Sequence, residues 1–508
     1  MKYVMGIDIG STNIKAVVFD ENGAIVAKGL SPTPYRNTDA AHPEWIGYDP
    51  DEIWRAAAQA IRAALSGAAV RVESVAVTGI GMDAAPIGAA GQTLYPFISW
   101  RCFRTEPQYQ RLIAQYGKLE LYQISGKQPL QYDTVHRIRW IKDNHPEIYR
   151  NAYKWLLIED FINWKLCGAV ATDYSMANCT SLLDTARREW SPRLLEGAGL
   201  DREKLAEIKP AGTVLGAVSA AAARETALPQ GTRVVLGGHD YACAALACGA
   251  IDDRKIVDST GTFDCISIVS NQAITTGELL NAGISCECHV SPGLYNLQCS
   301  MPSGGILEWW KDNLAGREAE PVAEPIWQRL MDSLATAKDG IYFLPHLFGC
   351  ESPVFDPYSR GAFVGIAPGA KKADFLLALM EGLSFQLHSI IDSMETATRG
   401  RFTEMITVGG ATRNAYWMQN KADILGKRIL VPQELDEATC LGAALLAAVG
   451  AGIYRDEREA LSHTRQDYQI YQPDDARHQH YARKYQTFKM LYPALREINH
   501  RIVKANSN

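Results

Sequence analysis

The sequence predicts an α/β fold of two similar halves facing each other across a central cleft, with helical insertions. Three observations predict it. A β-rich run, a small hydroxyl-rich turn and a second β-rich run open the chain at KYVMGIDIGSTNIKAVVFD, and the same succession returns midway at KIVDSTGTFDCISIV. Between and after these repeats, strand-like runs alternate with helix-like ones, as in sheets covered by helices. At 508 residues the chain is also too long for one hydrophobic core, so two or more domains are expected. The halves divide as 1–249 and 250–508.

Taken in order, YVMGIDI, IKAVVFD and AIVAKG, separated by GSTN and ENG, read as a three-stranded meander. From Pro50, residues Ile53, Trp54, Ala57, Ile61, Ala64 and Leu65 recur at helical spacing behind Asp51 and Glu52, acids that suit a helix N-terminus. SVAVTGIG is a further strand, and APIGAAGQTLYPFISW reads as a hairpin. Arg111 to Leu166 is helical in pattern, an insertion ending at Gly168, with Trp140, Trp155 and Trp164 as core anchors. After the Gly-, Ala- and Pro-rich stretch from Pro210 to Gly231, TRVVLGGHD is a strand that delivers Asp240 to the start of a small-residue helix. In the second half, EMITVGGATRN reads as strand, glycine turn and helix start, followed by an apolar helix from Cys440 to Val449. ARKYQTFKMLYPALREI fits a long helix before a frayed basic tail.

Composition narrows the function. With 47% apolar and 21% charged residues the chain is that of an ordinary soluble protein, and a net charge of −6 argues against a nucleic-acid or anionic-membrane partner. A signal-peptide pattern and an uninterrupted apolar span are both missing, so a cytoplasmic location is expected. The eleven cysteines are odd in number and scattered, which favours reduced, buried thiols. Cys286, Cys288 and Cys299 lack the paired CxxC spacing of a structural zinc site.

The chemistry-bearing residues lie at the turns. Gly10, Ser11, Thr12 and Asn13 present backbone N–H groups and hydroxyls at close range, as phosphate oxygens require, and Thr260, Gly261 and Thr262 repeat the arrangement. Asp8, just before the first turn, offers hard oxygens suited to Mg²⁺. Asp240, after two glycines and at a helix start, is the candidate general base, and the helix dipole is expected to keep it ionised at neutral pH. Asp83, Trp100 and Arg101 combine a carboxylate, an indole and a guanidinium able to grip a polyhydroxylated molecule. Gly409 and Gly410 allow a flat ring to lie against backbone, with Arg413 or Asn414 addressing its edge. A Walker A loop and the HRD and DFG motifs of protein kinases are absent from the sequence, so phosphate handling needs another fold.

MGIDIGSTNIKAVVFD, TGIGMD, ISWRCFRT, GGHDYACAALACG, DSTGTF, PSGGILEW, LEGLSFQL and VGGATRNAYWMQNKADILG, in that order, resemble the FGGY family of carbohydrate kinases across nearly the whole chain. The resemblance implies two actin-like, ribonuclease-H-like ATPase domains closing over ATP, Mg²⁺ and a sugar. It implies Asp8 at the metal, the Gly10–Asn13 turn with Lys15 and the Thr260–Thr262 turn at the phosphates, and Gly409, Gly410 and Asn414 at the adenosine. Asp240 is implied as base, beside Asp83, Trp100 and Arg101 on the sugar side. The wording from TLYPFISWRCFRT to INWKLCG is similar to the L-fuculose-directed branch of the family. GIGMDAA departs from the GQMHG-like segment of xylulose-directed members by placing Asp83 where they carry histidine. Gly47 stands in EWIGYDP where many members carry a glutamate, which bears on how the outer end of the sugar is held. The implied activity is ATP-dependent phosphorylation of a ketose, L-fuculose-like in the first instance, at a primary hydroxyl. Alternatives are a xylulokinase-like or other pentulose or polyol kinase, and a non-catalytic actin-like protein that binds sugar and nucleotide. A homodimer is expected from family habit.

Overall fold

The computed structural model describes residues 1–67, 70–252, 255–315, 324–433, 435, 437–464 and 467–506. Its first sheet contains β1 (Tyr3–Ile9), β2 (Asn13–Asp20), β3 (Ile25–Pro32), β4 (Val72–Gly79), β5 (Val214–Ala217) and β6 (Arg233–His239), in the spatial order β5-β6-β4-β1-β2-β3. The meander β1-β2-β3 is antiparallel, whereas β4 runs parallel to both β1 and β6. Central strands β1 and β4 are covered on both faces, and their sequences accordingly run nearly continuously apolar.

The second sheet contains β7 (Lys255–Thr260), β8 (Phe263–Ser270), β9 (Ser285–Cys288), β10 (Tyr295–Pro302), β11 (Glu404–Gly409), β12 (Arg428–Pro432) and β13 (Tyr468–Tyr471), in the order β9-β10-β8-β7-β11-β12-β13. Again the first three long strands are antiparallel, and β11 runs parallel to β7 and β12. The repeat seen in the sequence is thus a repeat of topology, β3-β2-β1-β4-β6 matching β10-β8-β7-β11-β12. In both copies the turn with its hydroxyl residues closes a central antiparallel pair.

Helix α1 (Pro50–Ser66) starts where the Asp49 side chain accepts from the N–H groups of Asp51 and Glu52, and it buries Ile53, Trp54, Ala57 and Ile61 in the core beneath β2 and β3. Helix α2 (Ile158–Cys167) ends at Gly168 as expected, with that glycine in the left-handed region. Helix α3 (Asp240–Ala247) follows β6 directly, and α6 (Ala438–Gly450), from the second half of the chain, packs against both α3 and β1. Between them lie α4 (Lys372–Thr398) and α5 (Ala415–Leu425), and α7 (Asp475–Asn506) closes the chain.

Three expectations are corrected. The hairpin after Ala84–Gly88 forms but is short, with Ile87 bridged antiparallel to Thr93 and Leu94 N–H donated to Pro86 O at 2.9 Å, and its return limb goes on to pair Phe97–Ile98 with Ile46–Tyr48. Ala84–Gly88 itself pairs with Ala152–Leu157, a strand inside the insertion that looked wholly helical. The basic tail is helical through Asn506, because Lys484, Tyr485, Phe488 and Leu491 anchor α7 to the body. Helix α4 has the length and mean hydropathy of a bilayer span but is interrupted by Asp374, Glu381 and Asp392, and 83% of its most apolar window is buried inside the protein. One continuous core joins the insertion, through Tyr122, Met176 and Ala177, to Leu279 and Cys286 at the edge of the second sheet.

Candidate active site

The C-terminal ends of the parallel strands converge on Asp240. His239 is the last residue of β6 and Asp240 the first of α3, so the carboxyl emerges at the sheet edge, where its Oδ1 accepts from the N–H of Tyr241 at 2.6 Å. The Asp240 side chain keeps 27% of its accessible surface, and His239 Nε2 lies 3.3 Å from Oδ1. Contrary to the expectation from the helix dipole, burial pushes the Asp240 carboxyl up to about 7, the Tyr241 N–H only partly opposing it. Desolvation outweighs a dipole whose benefit is confined to the first turn.

Asp8, near the end of β1, is a close electrostatic neighbour. Burial, then the charge of Asp240, raises it to about 7, while Lys15 opposes. Its Oδ1 is buried and has no hydrogen-bond partner among the described residues. An orphaned carboxylate oxygen fits a hard divalent cation, whose charge favours the ionised form. Lys15 faces Asp8 across the β1-β2 register, but its Nζ is paired with Glu437 Oε2 at 2.8 Å, just before α6. The phosphate contact expected of Lys15 is thus replaced here by an ion pair between the two halves.

The second turn reaches the same place. Tyr241, beside Asp240, hydrogen-bonds the Cys265 side chain on β8, two residues past the turn's Phe263. Thr262 and Gly261 stand at the turn, with their carbonyls accepting from Ser303, Gly304 and Gly305 N–H groups. Thr260 departs from expectation. Its hydroxyl donates to Val408 O at 3.1 Å and accepts from Ala411 N–H at 3.2 Å, so it has no proton left to offer a phosphate. It holds the 408–411 turn instead.

That turn is built as the glycines suggested. Gly409 has φ 103°, and a Cβ there would overlap Thr260 O, whereas Gly410 faces open space. Asn414 is committed differently. Its Oδ1 caps α5 by accepting from Trp417 N–H at 3.1 Å, leaving only the amide N–H₂ for a ligand edge.

On the sugar side the three predicted residues do come together. The Arg101 guanidinium lies 4.9 Å from the Tyr35 ring centroid and 5.4 Å from that of Trp100, which meets Tyr132 edge-on at 6.3 Å. Arg101 is exposed and therefore available. Asp83 is not. It is fully buried, accepts from Tyr48 OH at 2.5 Å and from Arg137 NH1 at 2.9 Å, and receives the backbone N–H of Trp100. Burial raises its carboxyl despite Arg137. The residue expected to touch sugar instead anchors the wall that presents Trp100 and Arg101. Gly47 lies in the strand Ile46–Tyr48, paired with Ile98 behind this wall. An open hollow of about 570 Å³ lined by Trp54, Trp164, Lys165 and Glu225 contains none of these residues, and its polar groups are mutually paired, as with Trp54 Nε1 and Glu225 Oε2 at 2.6 Å.

Residues 3–247 match the N-terminal domain, and residues 257–451 the C-terminal domain, of the FGGY family of carbohydrate kinases. The chain belongs to that family. Its activity class is ATP-dependent phosphorylation of a carbohydrate. Among FGGY relatives, an L-fuculokinase of Escherichia coli strain K12 is 30% identical over 476 residues, covering 92% of this chain and 97% of that one. A xylulose kinase of Lactococcus lactis subsp. lactis strain IL1403 is 28% identical over 527 residues, covering 100% and 99%. In fold, the FGGY chain is similar to the crystal structure of xylulose kinase from Rhodospirillum rubrum, with a TM-score of 0.89 at 24% identity over 98% of this chain and 100% of that one.

Sequence reasoning missed Glu437, Arg137, Tyr35 and Tyr132, each remote in sequence from the residue it serves. It also missed His239, although the GGHD run printed it next to Asp240.

Proposed function

We propose that this enzyme transfers the γ-phosphoryl group of ATP to a primary hydroxyl of a ketose, an L-fuculose-like sugar in the first instance. The observation that carries the proposal is the pair of carboxyls, Asp8 and Asp240, at the ends of β1 and β6 on either side of β4, with the second hairpin joined to them through Tyr241 and Cys265. A base poised near neutrality can take the hydroxyl proton as the oxygen attacks phosphorus, and much of the remaining rate enhancement comes from positioning. Asp240 is that base, and His239 Nε2 at 3.3 Å orients it. The N–H groups of Gly10–Asn13 and of Thr262 meet the phosphates, the Gly261 N–H being donated to Phe263 O at 3.0 Å within the turn, Gly409 and Gly410 line the adenosine side, and Arg101 with Trp100 holds the sugar. Asp8 is the residue to hold Mg²⁺, which when bound supplies charge neutralisation on the phosphates.

The repeated strand order, three antiparallel strands followed by two parallel ones, supports two actin-like, ribonuclease-H-like domains divided as 1–249 and 250–508 with a cleft between them. The 30% relative favours L-fuculose, while the 28% match along the whole chain keeps a xylulose-like pentulose as the second substrate to test. We further propose cytoplasmic action as a homodimer without nucleic-acid or membrane partners. The deciding measurement is sugar-dependent ADP release with L-fuculose, D-xylulose, L-xylulose, both ribuloses, L-rhamnulose, glycerol and erythritol in parallel. Preference for L-fuculose supports the assignment. Nucleotide binding with no release on any sugar overturns it in favour of a non-catalytic binding protein.

A further inference from the structure

We propose that Cys179, His239 and Glu287 form a binding site for a thiophilic divalent transition metal of the Zn²⁺ class, and that metal bound there restrains catalysis. The three come from distant parts of the chain. Cys179 ends the short helix Tyr174–Cys179, His239 ends β6, and Glu287 lies on β9 at the edge of the second sheet. All are buried, and one donor atom from each lies within 4.8 Å of the other two. The site is therefore made only when the two halves are docked, and no spacing in the sequence announces it.

The local architecture aims the donors at each other. At Gly81 a Cβ would overlap Cys179 Sγ and come within 2.8 Å of His239 Nε2, so the missing side chain leaves a cradle into which thiol and imidazole both project. Sulfur, nitrogen and one carboxylate make a set of three protein ligands, the number that catalytic zinc sites supply while leaving the fourth to water. The soft sulfur selects Zn²⁺ or Co²⁺ over Mg²⁺. Burial lowers the His239 imidazole to about 4, so at neutral pH it is uncharged and has a lone pair to give. Burial holds the Cys179 thiol well above its ordinary range, with Glu287, Asp240 and Asp173 adding to the rise and the Lys127 ammonium opposing it. Metal binding therefore displaces the thiol proton: Cys–SH and M²⁺ give a Cys–S⁻–M²⁺ bond and release H⁺ to the solvent.

The consequence reaches the base. His239 Nε2, the ring nitrogen beside the Gly81 cradle, is also the atom 3.3 Å from Asp240 Oδ1. A metal on Nε2 removes the N–H it can offer Asp240, and through Glu287 it fastens the second sheet to β6. Bound metal thus leaves the protein folded and slows phosphoryl transfer.

The test is a titration of the purified full chain with Co²⁺ under reducing, chelator-free conditions. One equivalent is expected to produce a thiolate-to-cobalt charge-transfer band with the visible bands of a four-coordinate ion, displaced by Zn²⁺ and unaffected by excess Mg²⁺. Cys179→Ser should abolish the charge-transfer band, Glu287→Gln should weaken affinity about tenfold or more, and Cys265→Ser should leave the band intact. Absence of a thiolate band at one equivalent, or its persistence in Cys179→Ser, overturns the proposal. Should Cys179→Ser fail to fold, Glu287→Gln decides alone, since unchanged Co²⁺ affinity is equally fatal. ADP release is followed in the same titration and is expected to fall with the optical midpoint. Because binding is read optically, a failure of the metal site is distinguishable from a failure of the kinase assignment.

Discussion

Asp240 shows how one carboxyl acquires a catalytic disposition from its surroundings. Burial raises it to about 7, so in the free enzyme the fraction able to accept a proton grows through neutrality. The expected pH profile of kcat/KM for sugar therefore has an acidic limb near pH 7, shared with Asp8 because the two charges interact. A limb confined to the ordinary aspartate range near pH 4 would show that Asp240 is not the titrating base. Asp240→Asn should retain the fold and lower kcat by about 10² or more, the scale of general-base loss. Asp83, though also raised by burial, has a structural part instead. Removing it leaves the Arg137 guanidinium buried and unpaired, so Asp83→Ala should cost about 3–5 kcal/mol of stability, read as a lowered midpoint in denaturant melts. Arg101→Ala, an exposed position, should raise the sugar KM with an unchanged melt. Sequence order brought Asp83, Trp100 and Arg101 together correctly, but nothing in it told which would face the ligand, because burial is decided by Tyr48 and Arg137 from other segments.

The two hairpins are alike in backbone and unlike in chemistry. Among the described residues Asp8, Asp258 and Asp264 each keep one buried oxygen without a hydrogen-bond partner, but only in the second hairpin does a buried ammonium sit between the acids, Lys421 pairing with Asp258 at 2.7 Å and with Asp264 at 3.1 Å. Duplication was legible because both strands and turns are local in sequence. The neutralisation of one acid was not, since Lys421 lies far along the chain on α5. The strand Ala152–Leu157 escaped for a related reason. Only its pairing with Ala84–Gly88 distinguishes it from the helices on either side. The turn at Gly409 is where an element-scale prediction is sharpest. Gly409→Ala combines φ 103° with overlap on Thr260 O, so the turn must move away from the second hairpin. The ATP KM should rise about tenfold or more while the sugar KM is little changed, as measured by varying each substrate in turn. Equal effects on both constants would mean that the turn serves the whole fold instead of the nucleotide.

At the scale of the molecule, the buried carboxyls couple stability to pH and to metal. Asp8 and Asp240 have native values of about 7 against 3.8 for the ordinary side chain. Between roughly pH 4 and pH 7 the native state therefore holds protons that the unfolded chain has released, and stability falls as pH rises through that window. Asp173, raised to about 6 by burial, adds to the same slope, as do Glu159 and Asp160. The slope alone thus does not single out the active site. Mg²⁺ does, because it favours ionised Asp8 and so competes with the proton for one carboxyl. The gain in Tm on adding Mg²⁺, measured by scanning calorimetry, should be small near about pH 5 and larger near about pH 8, reflecting on the order of a few kcal/mol of linkage. Asp8→Asn should be more stable than the parent at the higher pH without metal and should lose the Mg²⁺ response at both. A Mg²⁺ gain that is independent of pH, or that survives in Asp8→Asn, would place the cation elsewhere and separate the metal from the end of β1.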